Sequence, residues 1–227
     1  MYSFLNVQKK IIKLLKTTFQ NHPKRVGVFI SIPKNGSNSI RKVLDIGKNR
    51  DLDNTNSKII HENHQRGVVL KERYDLENLF VFCFSRNPYD RTESWYRYHK
   101  NLSLKPYTKL SFRDWIMEGM PHHFHQQNLT NWSREGLTPL LQYNFVEGCN
   151  IDFTGRIENF ENDIALLIDK LNEMCLKAGE MPDFKKTNLN VHLNVSENNK
   201  TNSFTPELIE NVYSLLKKDF DYFGYSK

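Results

Sequence analysis

Two continuous apolar runs dominate the pattern along the chain, and each ends in a short polar loop. The first covers residues 26–32 and the second covers residues 79–84. Runs of this kind, without polar alternation, are typical of strands buried on both faces of a parallel sheet. After each loop the apolar residues recur at helical spacing, over residues 39–46 and from Tyr89 towards Tyr98. Two strand–loop–helix units in succession predict an α/β fold.

Weaker patterns predict the elements that complete the domain. These are short strands at 58–61 and 152–155, and helices at 65–75, 112–117, 159–176 and from Pro206 onward. Thr205 is the expected N-cap of the last helix, because proline is favoured at the position that follows it. From the length of the chain we expect one domain over residues 25–227.

Residues 1–24 form a separate basic segment, in which apolar residues such as Ile11 and Leu15 are interleaved with lysines. This pattern predicts an amphipathic helix that packs on the domain or makes weak contact with a membrane surface. The segment lacks the uninterrupted apolar stretch of about 7–15 residues that a signal peptide needs. We therefore expect no signal peptide, no membrane span and no anchor.

Charge and cysteine content narrow the class of partner only slightly. The chain has 32 Lys and Arg against 26 Asp and Glu, a net charge of +6, which favours anionic ligands in general. No nucleic-acid-binding motif accompanies this charge, so nucleic acid is not an expected partner. Three widely spaced cysteines do not suit a disulfide framework or a four-ligand zinc site, and we expect no metal.

The loop after the first apolar run has the chemistry of an anion site. Small residues let a backbone approach an anion closely, and N–H groups at a helix N-terminus bind it. Lys34 adds a positive charge, and Ser37 and Ser39 add hydroxyl groups. Strand–turn–helix junctions of this kind are also common without a ligand, so the loop alone leaves both interpretations open. The residues concerned are Pro33, Lys34, Asn35, Gly36, Ser37, Asn38 and Ser39.

A second basic loop follows the second apolar run. In an open parallel sheet, ligands bind at the carboxyl ends of the strands, so both loops would face one crevice. Arg86 offers a planar fork that suits phosphate, and Ser94 follows eight residues later in the next helix. For Arg91 we expect ion pairs with Asp90 and Glu93 instead.

Together these loops resemble those of sulfotransferases that use 3′-phosphoadenosine 5′-phosphosulfate (PAPS). Residues 32–40 are similar to the family's 5′-phosphosulfate loop, and residues 84–94 resemble its 3′-phosphate element. Later blocks resemble the carbohydrate-type branch of the family. They lie at 154–160 with Asp163, at 192–196, at 204–208 and at 219–225. One departure is that Ser37 and Asn38 stand where the family loop usually has Gly and Thr.

The resemblance implies a fold, a donor and a reaction. The fold would be a central parallel sheet flanked by helices, like that of P-loop NTPases. PAPS would give its sulfuryl group to a hydroxyl acceptor, expected to be a carbohydrate, and leave 3′-phosphoadenosine 5′-phosphate (PAP). Lys34 would neutralise the leaving phosphate, Arg86 and Ser94 would hold the 3′-phosphate, and the N–H groups of residues 35–39 would cradle the 5′-phosphosulfate. Without an anchor, we expect a cytoplasmic protein of bacterial type.

The resemblance also implies a histidine base for the acceptor hydroxyl. His61 and His64 both match its position in the family, and the sequence does not separate them. His123 and Gln127 resemble a segment near the acceptor and are candidates to bind it, although a surface loop is an equal interpretation for His123.

Two other functions stay open at this point. The first is a nucleotide-dependent kinase or related phosphoryl transferase on the same sheet. Against it, the nucleotide-triphosphatase pattern is absent, because Lys34 precedes Gly36 instead of following a second glycine. The second is a non-catalytic glycan-binding domain. Retention of Lys34 together with Arg86 and Ser94 disfavours it.

Overall fold

The computed structural model describes residues 24–46, 58–122, 140–187, 189 and 204–227. The basic helix expected at the N-terminus lies outside these residues, apart from Lys24. The same is true of His123, Gln127 and the block at 192–196, so those predictions stay untested.

The described part of the chain contains one sheet of four parallel strands. They are β1 (Gly27–Ile30), β2 (Ile59–His61), β3 (Phe80–Ser85) and β4 (Phe153–Arg156). Their order across the sheet is β2-β1-β3-β4. The two strands formed by the apolar runs, β1 and β3, are therefore direct neighbours. The predicted α/β architecture with a central parallel sheet is therefore confirmed.

Helices surround this sheet, and those predicted from periodicity lie within a few residues of their expected bounds. The helices are α1 (Ser37–Val43), α2 (Gly67–Arg73), α3 (Pro88–Asn101), α4 (Phe112–Met117), α5 (Tyr143–Val146), α6 (Phe160–Ala178), α7 (Pro206–Leu215) and α8 (Lys217–Phe223). Neither α5 nor a separate α8 was predicted, because both are short and lie in aromatic-rich segments. Thr205 caps α7 as expected, accepting from the N–H of Leu208.

Both faces of the sheet are covered, which explains why the strands are apolar without alternation. Phe29 and Phe82 point to one face and pack with the apolar side of α6. Val28 and Val81 point to the other face, where they join a cluster that includes residues of α2 and α5. Burying each such side chain contributes about 1.5–3 kcal/mol. A third cluster, rich in aromatic residues, joins α3, α4, α7 and α8.

Among the helices of the described residues, none is long and apolar enough to cross a membrane. The cytoplasmic location and bacterial origin expected from the sequence stay predictions.

Candidate functional site

The two basic loops meet at the carboxyl edge of the sheet. Strands β1 and β3 are parallel neighbours, with Ile30 paired to Cys83. The loops that follow these two strands therefore leave the sheet at the same edge. The guanidinium of Arg86 donates from Nη1 to the carbonyl oxygen of Lys34 at 3.2 Å. The two loops therefore lie side by side at one edge of the sheet and are in direct contact, while a ligand-binding crevice between them stays a prediction.

A tight turn places Lys34 at the head of the first loop. The N–H of Asn35 donates to the carbonyl of Ile32 at 3.3 Å, which puts Pro33 and Lys34 at the two central positions. Lys34 has a φ of 68°, in the left-handed region that a non-glycine residue enters at a cost. The backbone N–H of Asn35 belongs to the expected cradle, but it already donates to the Ile32 carbonyl that closes the turn.

Gly36 lets the chain pass from the turn into α1. Its φ is 67°, and a Cβ there would lie 2.8 Å from the Cδ1 atom of Ile157. Helix α1 has no side-chain cap and no acidic residue in its first turn, so its positive end faces the loop uncompensated by a carboxylate. Ser37 donates to the carbonyl of Ile32 at 3.2 Å, and the exposed Asn38 accepts from Arg41.

The Lys34 ammonium lies against the aromatic face of α3. Its Nζ atom is 4.0 Å from the centroid of the Tyr98 ring, a cation–π contact. Burial, together with the positive charges of Arg86, Arg91 and Arg97, lowers the pKa of Lys34 to about 8. The loop therefore holds a lysine that a bound anion would stabilise in its charged form.

One face of α3 follows the first loop. Arg91, Ser94 and Tyr98 are spaced three and four residues apart and so share that face. Arg91 donates from Nε to the carbonyl of Pro33 at 3.0 Å, and Tyr98 contacts Lys34. Ser94 lies between these two contacts and is half-buried. Its place beside the loop is consistent with the predicted role, and its contact with the donor stays a prediction.

Arg91 joins two distant segments through contacts to backbone carbonyls. It is buried, and besides its contact with the turn it donates to the carbonyl of Leu140. Burial lowers its pKa to about 10, while the negative charge of Asp219 acts in the opposite direction. These two contacts to backbone carbonyls hold the guanidinium across the fold, and the expected ion pairs with Asp90 and Glu93 stay a prediction.

Sequence reasoning missed Gln142, which joins the two loops. Its Oε1 accepts from the Asn35 side chain at 2.6 Å and from the N–H of Arg86 at 2.9 Å. Its Nε2 donates to the carbonyl of Arg86 at 2.9 Å. The buried carboxylate of Asp219 accepts from the N–H groups of Gln142 and Tyr143, at 2.9 and 2.8 Å. Gln142 lies in residues 119–150, where the sequence pattern predicts no helix or strand, so no signal pointed to it.

His64 is held by two hydrogen bonds to one residue of the crevice. Its N–H donates to Ser31 Oγ at 2.9 Å, and its Nδ1 lies 2.9 Å from the carbonyl oxygen of Ser31. A carbonyl only accepts, so Nδ1 carries the proton and Nε2 keeps its lone pair in the neutral ring. Burial lowers the pKa of His64, against the hydrogen bond to Ser31, which raises it.

His61 has a different environment at the end of β2. Its ring stacks on Phe29 with centroids 5.4 Å apart, and its Nε2 is buried and has no hydrogen-bond partner among the described residues. Burial lowers its pKa to about 4, with the charges of Arg41 and His64 acting in the same direction. At neutral pH both rings are therefore neutral, but Nε2 of His61 is enclosed by the core.

Residues of the blocks that resemble the carbohydrate-type branch contact the ends of strands β3 and β4. The carboxylate of Asp163 accepts from the N–H of Arg156 at 2.6 Å and so ties the end of β4 to α6. The hydroxyl of Tyr225 lies 3.1 Å from Ser85 Oγ, at the end of β3, and donates to Glu158 at 3.0 Å. These contacts therefore help to fix the ends of β3 and β4, from which the loops of the site emerge.

No group of three or more His, Cys, Asp or Glu side chains in the described ranges could hold a metal ion.

Comparison with known proteins gives one family match that covers most of the chain. The model of the Sulfotransferase family matches residues 17–226. An uncharacterized protein of Archaeoglobus fulgidus is 31% identical over 112 residues, which are 47% of this chain and 77% of that protein.

Two solved structures are similar at low identity. A sulfotransferase from Alicyclobacillus acidocaldarius is 14% identical with a TM-score of 0.48, covering 87% of this chain and 93% of its own. Mouse sulfotransferase SULT7A1, complexed with PAP, is 13% identical with a TM-score of 0.45, covering 89% and 86%. These values are too low to transfer residue roles. The family match rests on residues 17–226, and by it this chain belongs to the Sulfotransferase family.

Proposed function

We propose that this chain transfers a sulfuryl group from PAPS to a hydroxyl group of a carbohydrate acceptor. Membership of the Sulfotransferase family supports sulfuryl transfer in general. The observation that carries the choice of donor is the contact between the two loops, where the Arg86 guanidinium reaches the carbonyl of Lys34. Two cations from neighbouring strand ends suit a nucleotide that has phosphates at both its 3′ and its 5′ positions.

The residues present fit such a donor. The sulfuryl group is the only reactive group that PAPS supplies when bound. Lys34 and the N–H groups at the start of α1 would hold its 5′-phosphosulfate, because helix N-termini and lysine both favour anions. Arg86 and Ser94 would hold the 3′-phosphate. Two residues depart from the usual family loop. Ser37 adds a hydroxyl where the family usually has Gly, and Asn38 has an amide where the family usually has the hydroxyl of Thr.

Lys34 is the residue that we assign to charge stabilisation. Sulfuryl transfer resembles phosphoryl transfer, in which positioning and electrostatic stabilisation dominate over covalent catalysis. With its pKa lowered to about 8, Lys34 is still mostly charged at neutral pH. An ammonium partly withdrawn from water interacts more strongly with a developing negative charge than an exposed one does.

His64 is our choice for the general base. The Ser31 carbonyl orients the ring so that Nε2 keeps its lone pair, and the lowered pKa keeps the ring neutral and ready to accept a proton at neutral pH. His61 is disfavoured, because its Nε2 is buried and its pKa of about 4 makes it a weak base. The choice between two histidines that the sequence left open thus rests on the hydrogen bond to Ser31.

The carbohydrate acceptor rests on the blocks that resemble the carbohydrate-type branch. The test is incubation of the chain with PAPS labelled in the sulfuryl group and a panel of oligosaccharides, simple alcohols and phenols. Label should appear on oligosaccharide hydroxyls and should be absent with Lys34→Ala. Transfer to phenols alone would contradict the carbohydrate assignment and leave the sulfuryl transfer standing.

A further inference from the structure

The side chain of Gln142 occupies the space between the two donor loops and is fully buried. It makes three hydrogen bonds there, two as acceptor through Oε1 and one as donor through Nε2. The partners are the Asn35 side chain and both backbone polar groups of Arg86. Asn35 directly follows Lys34. The single side-chain amide of Gln142 therefore connects the neighbour of one cation, Lys34, to the backbone of the other, Arg86.

The backbone of Gln142 is fixed in turn by the C-terminal helix. Asp219 of α8 accepts from the N–H groups of Gln142 and Tyr143 through its two oxygens. Arg91 donates to the carbonyl of Leu140 and to that of Pro33, which joins the same segment to the turn of the first loop. The amide therefore cannot shift without breaking contacts on both of its sides.

We propose that Gln142 is a positioning residue that sets the spacing between the Lys34 loop and Arg86, and so matches the site to the length of its donor. The proposal rests on the proposed function, since PAP is the ligand used to measure it. An amide supplies an acceptor and a donor on one planar group at any pH between about 5 and 9. An apolar side chain or an ionised carboxylate of the same length leaves at least one of the three partners without its hydrogen bond.

A purely structural role predicts something different. Buried hydrogen bonds stabilise any fold, and their loss would lower the free energy of unfolding wherever they occurred. A positioning role predicts in addition that the loss is concentrated at the donor site. The matched control is Leu171→Ala, because Leu171 is buried in α6 and lies near Gly27 at the opposite end of β1.

The first test compares Gln142→Met and Leu171→Ala with the wild type, measuring the Kd of PAP and the hydrogen exchange of residues 33–39. Gln142→Met should weaken PAP binding by about tenfold or more and speed exchange in the loop. Leu171→Ala should change neither, although it lowers the stability of the whole protein. Equal PAP affinity and equal exchange in Gln142→Met and the wild type would overturn the proposal.

Gln142→Glu gives a second test that does not depend on the first variant folding. Its carboxylate would face the Arg86 carbonyl without a proton, whereas the protonated acid can donate to it. The ratio of its PAP Kd to that of the wild type should therefore fall as the pH is lowered from about 8 to about 5.5. A ratio independent of pH would contradict the role of the Nε2 donor.

The two levels of the claim can be told apart. A wild-type protein that binds no PAP would refute the donor assignment. The hydrogen-exchange comparison would still decide whether Gln142 holds the loop.

Discussion

The ammonium of Lys34 lies 4.0 Å from the centroid of the Tyr98 ring, so the cation of the first loop packs on the third turn of α3. This contact joins the loop to the helix that begins directly after Arg86. Tyr98 as a whole is 48% exposed, so the contact lies at the protein surface. The charge, the turn and the helix are therefore coupled, and each can be tested separately.

The charge of Lys34 should limit activity at high pH. Its pKa is lowered to about 8, so the free protein loses this positive charge as the pH rises through that value. We expect kcat/KM, which reports the free enzyme, to fall above about pH 8. The low-pH limb should lie below 6.5, because burial lowers the pKa of His64 and protonation removes the base.

Lys34→Arg is the matched variant for this profile, because a guanidinium stays charged over the whole range. Its activity should be lower, since an arginine fork does not fit the place of an ammonium. Its high-pH limb should nevertheless be absent up to about pH 9. A limb that persists unchanged would show that another group titrates there.

The backbone conformation of Lys34 should lower the stability of the folded protein, because a lysine is held where glycine is favoured. A φ of 68° favours glycine, and other residues enter this region at about 1–2 kcal/mol. We therefore expect Lys34→Gly to unfold at a higher urea concentration than Lys34→Ala, by about 1 kcal/mol in the free energy of unfolding. Both variants lose the charge, so both should be inactive. Equal stability would contradict strain at this position.

The two histidines should separate clearly. His64→Asn retains a side-chain N–H for the Ser31 carbonyl and tolerates the φ of 56° at this position, but it lacks the base. Its kcat should fall by about 10²–10⁴-fold with PAP affinity unchanged. His61→Phe preserves the stacking on Phe29 and should keep most of the transfer rate. The reverse result, loss with His61→Phe alone, would exchange the two assignments.

The role of Arg86 can be tested with two nucleotides. AMP lacks the 3′-phosphate that PAP carries, so the wild type should bind PAP more tightly than AMP. In Arg86→Ala this preference should shrink by about tenfold or more, with little change in the affinity for AMP, because a charge-assisted contact contributes about 1.5–3 kcal/mol. Calorimetric titration gives both affinities. An unchanged preference would remove Arg86 from the 3′-phosphate site.

The sheet and the outline of the site could be predicted from the sequence because both depend on local patterns. Residues 26–32 and 79–84 are apolar because both faces of β1 and β3 are covered, and parallel neighbours necessarily deliver their loops to one edge. Arg86 directly follows β3 and Lys34 comes four residues after β1, so their proximity needed no knowledge of the rest of the chain.

What the sequence could not show depends on contacts between distant segments. Gln142 binds residues 56 and 107 positions away along the chain, from a segment without periodicity. Arg91 is buried and donates to the carbonyls of Pro33 and Leu140, which lie 58 and 49 positions away along the chain. The orientation of His64 depends on its hydrogen bond to Ser31, 33 residues earlier.

Thermal unfolding of the wild-type protein with PAP or with ATP and Mg²⁺ tests the central claim most directly, because it requires no knowledge of the acceptor. At about 100 times its Kd, a ligand of the folded state adds about 2.7 kcal/mol, or roughly 5–10 °C in Tm for a chain of this size. The account predicts a shift of this order with PAP and little or none with ATP and Mg²⁺. Stabilisation by ATP and Mg²⁺ alone would contradict a PAPS site and favour a phosphoryl transferase.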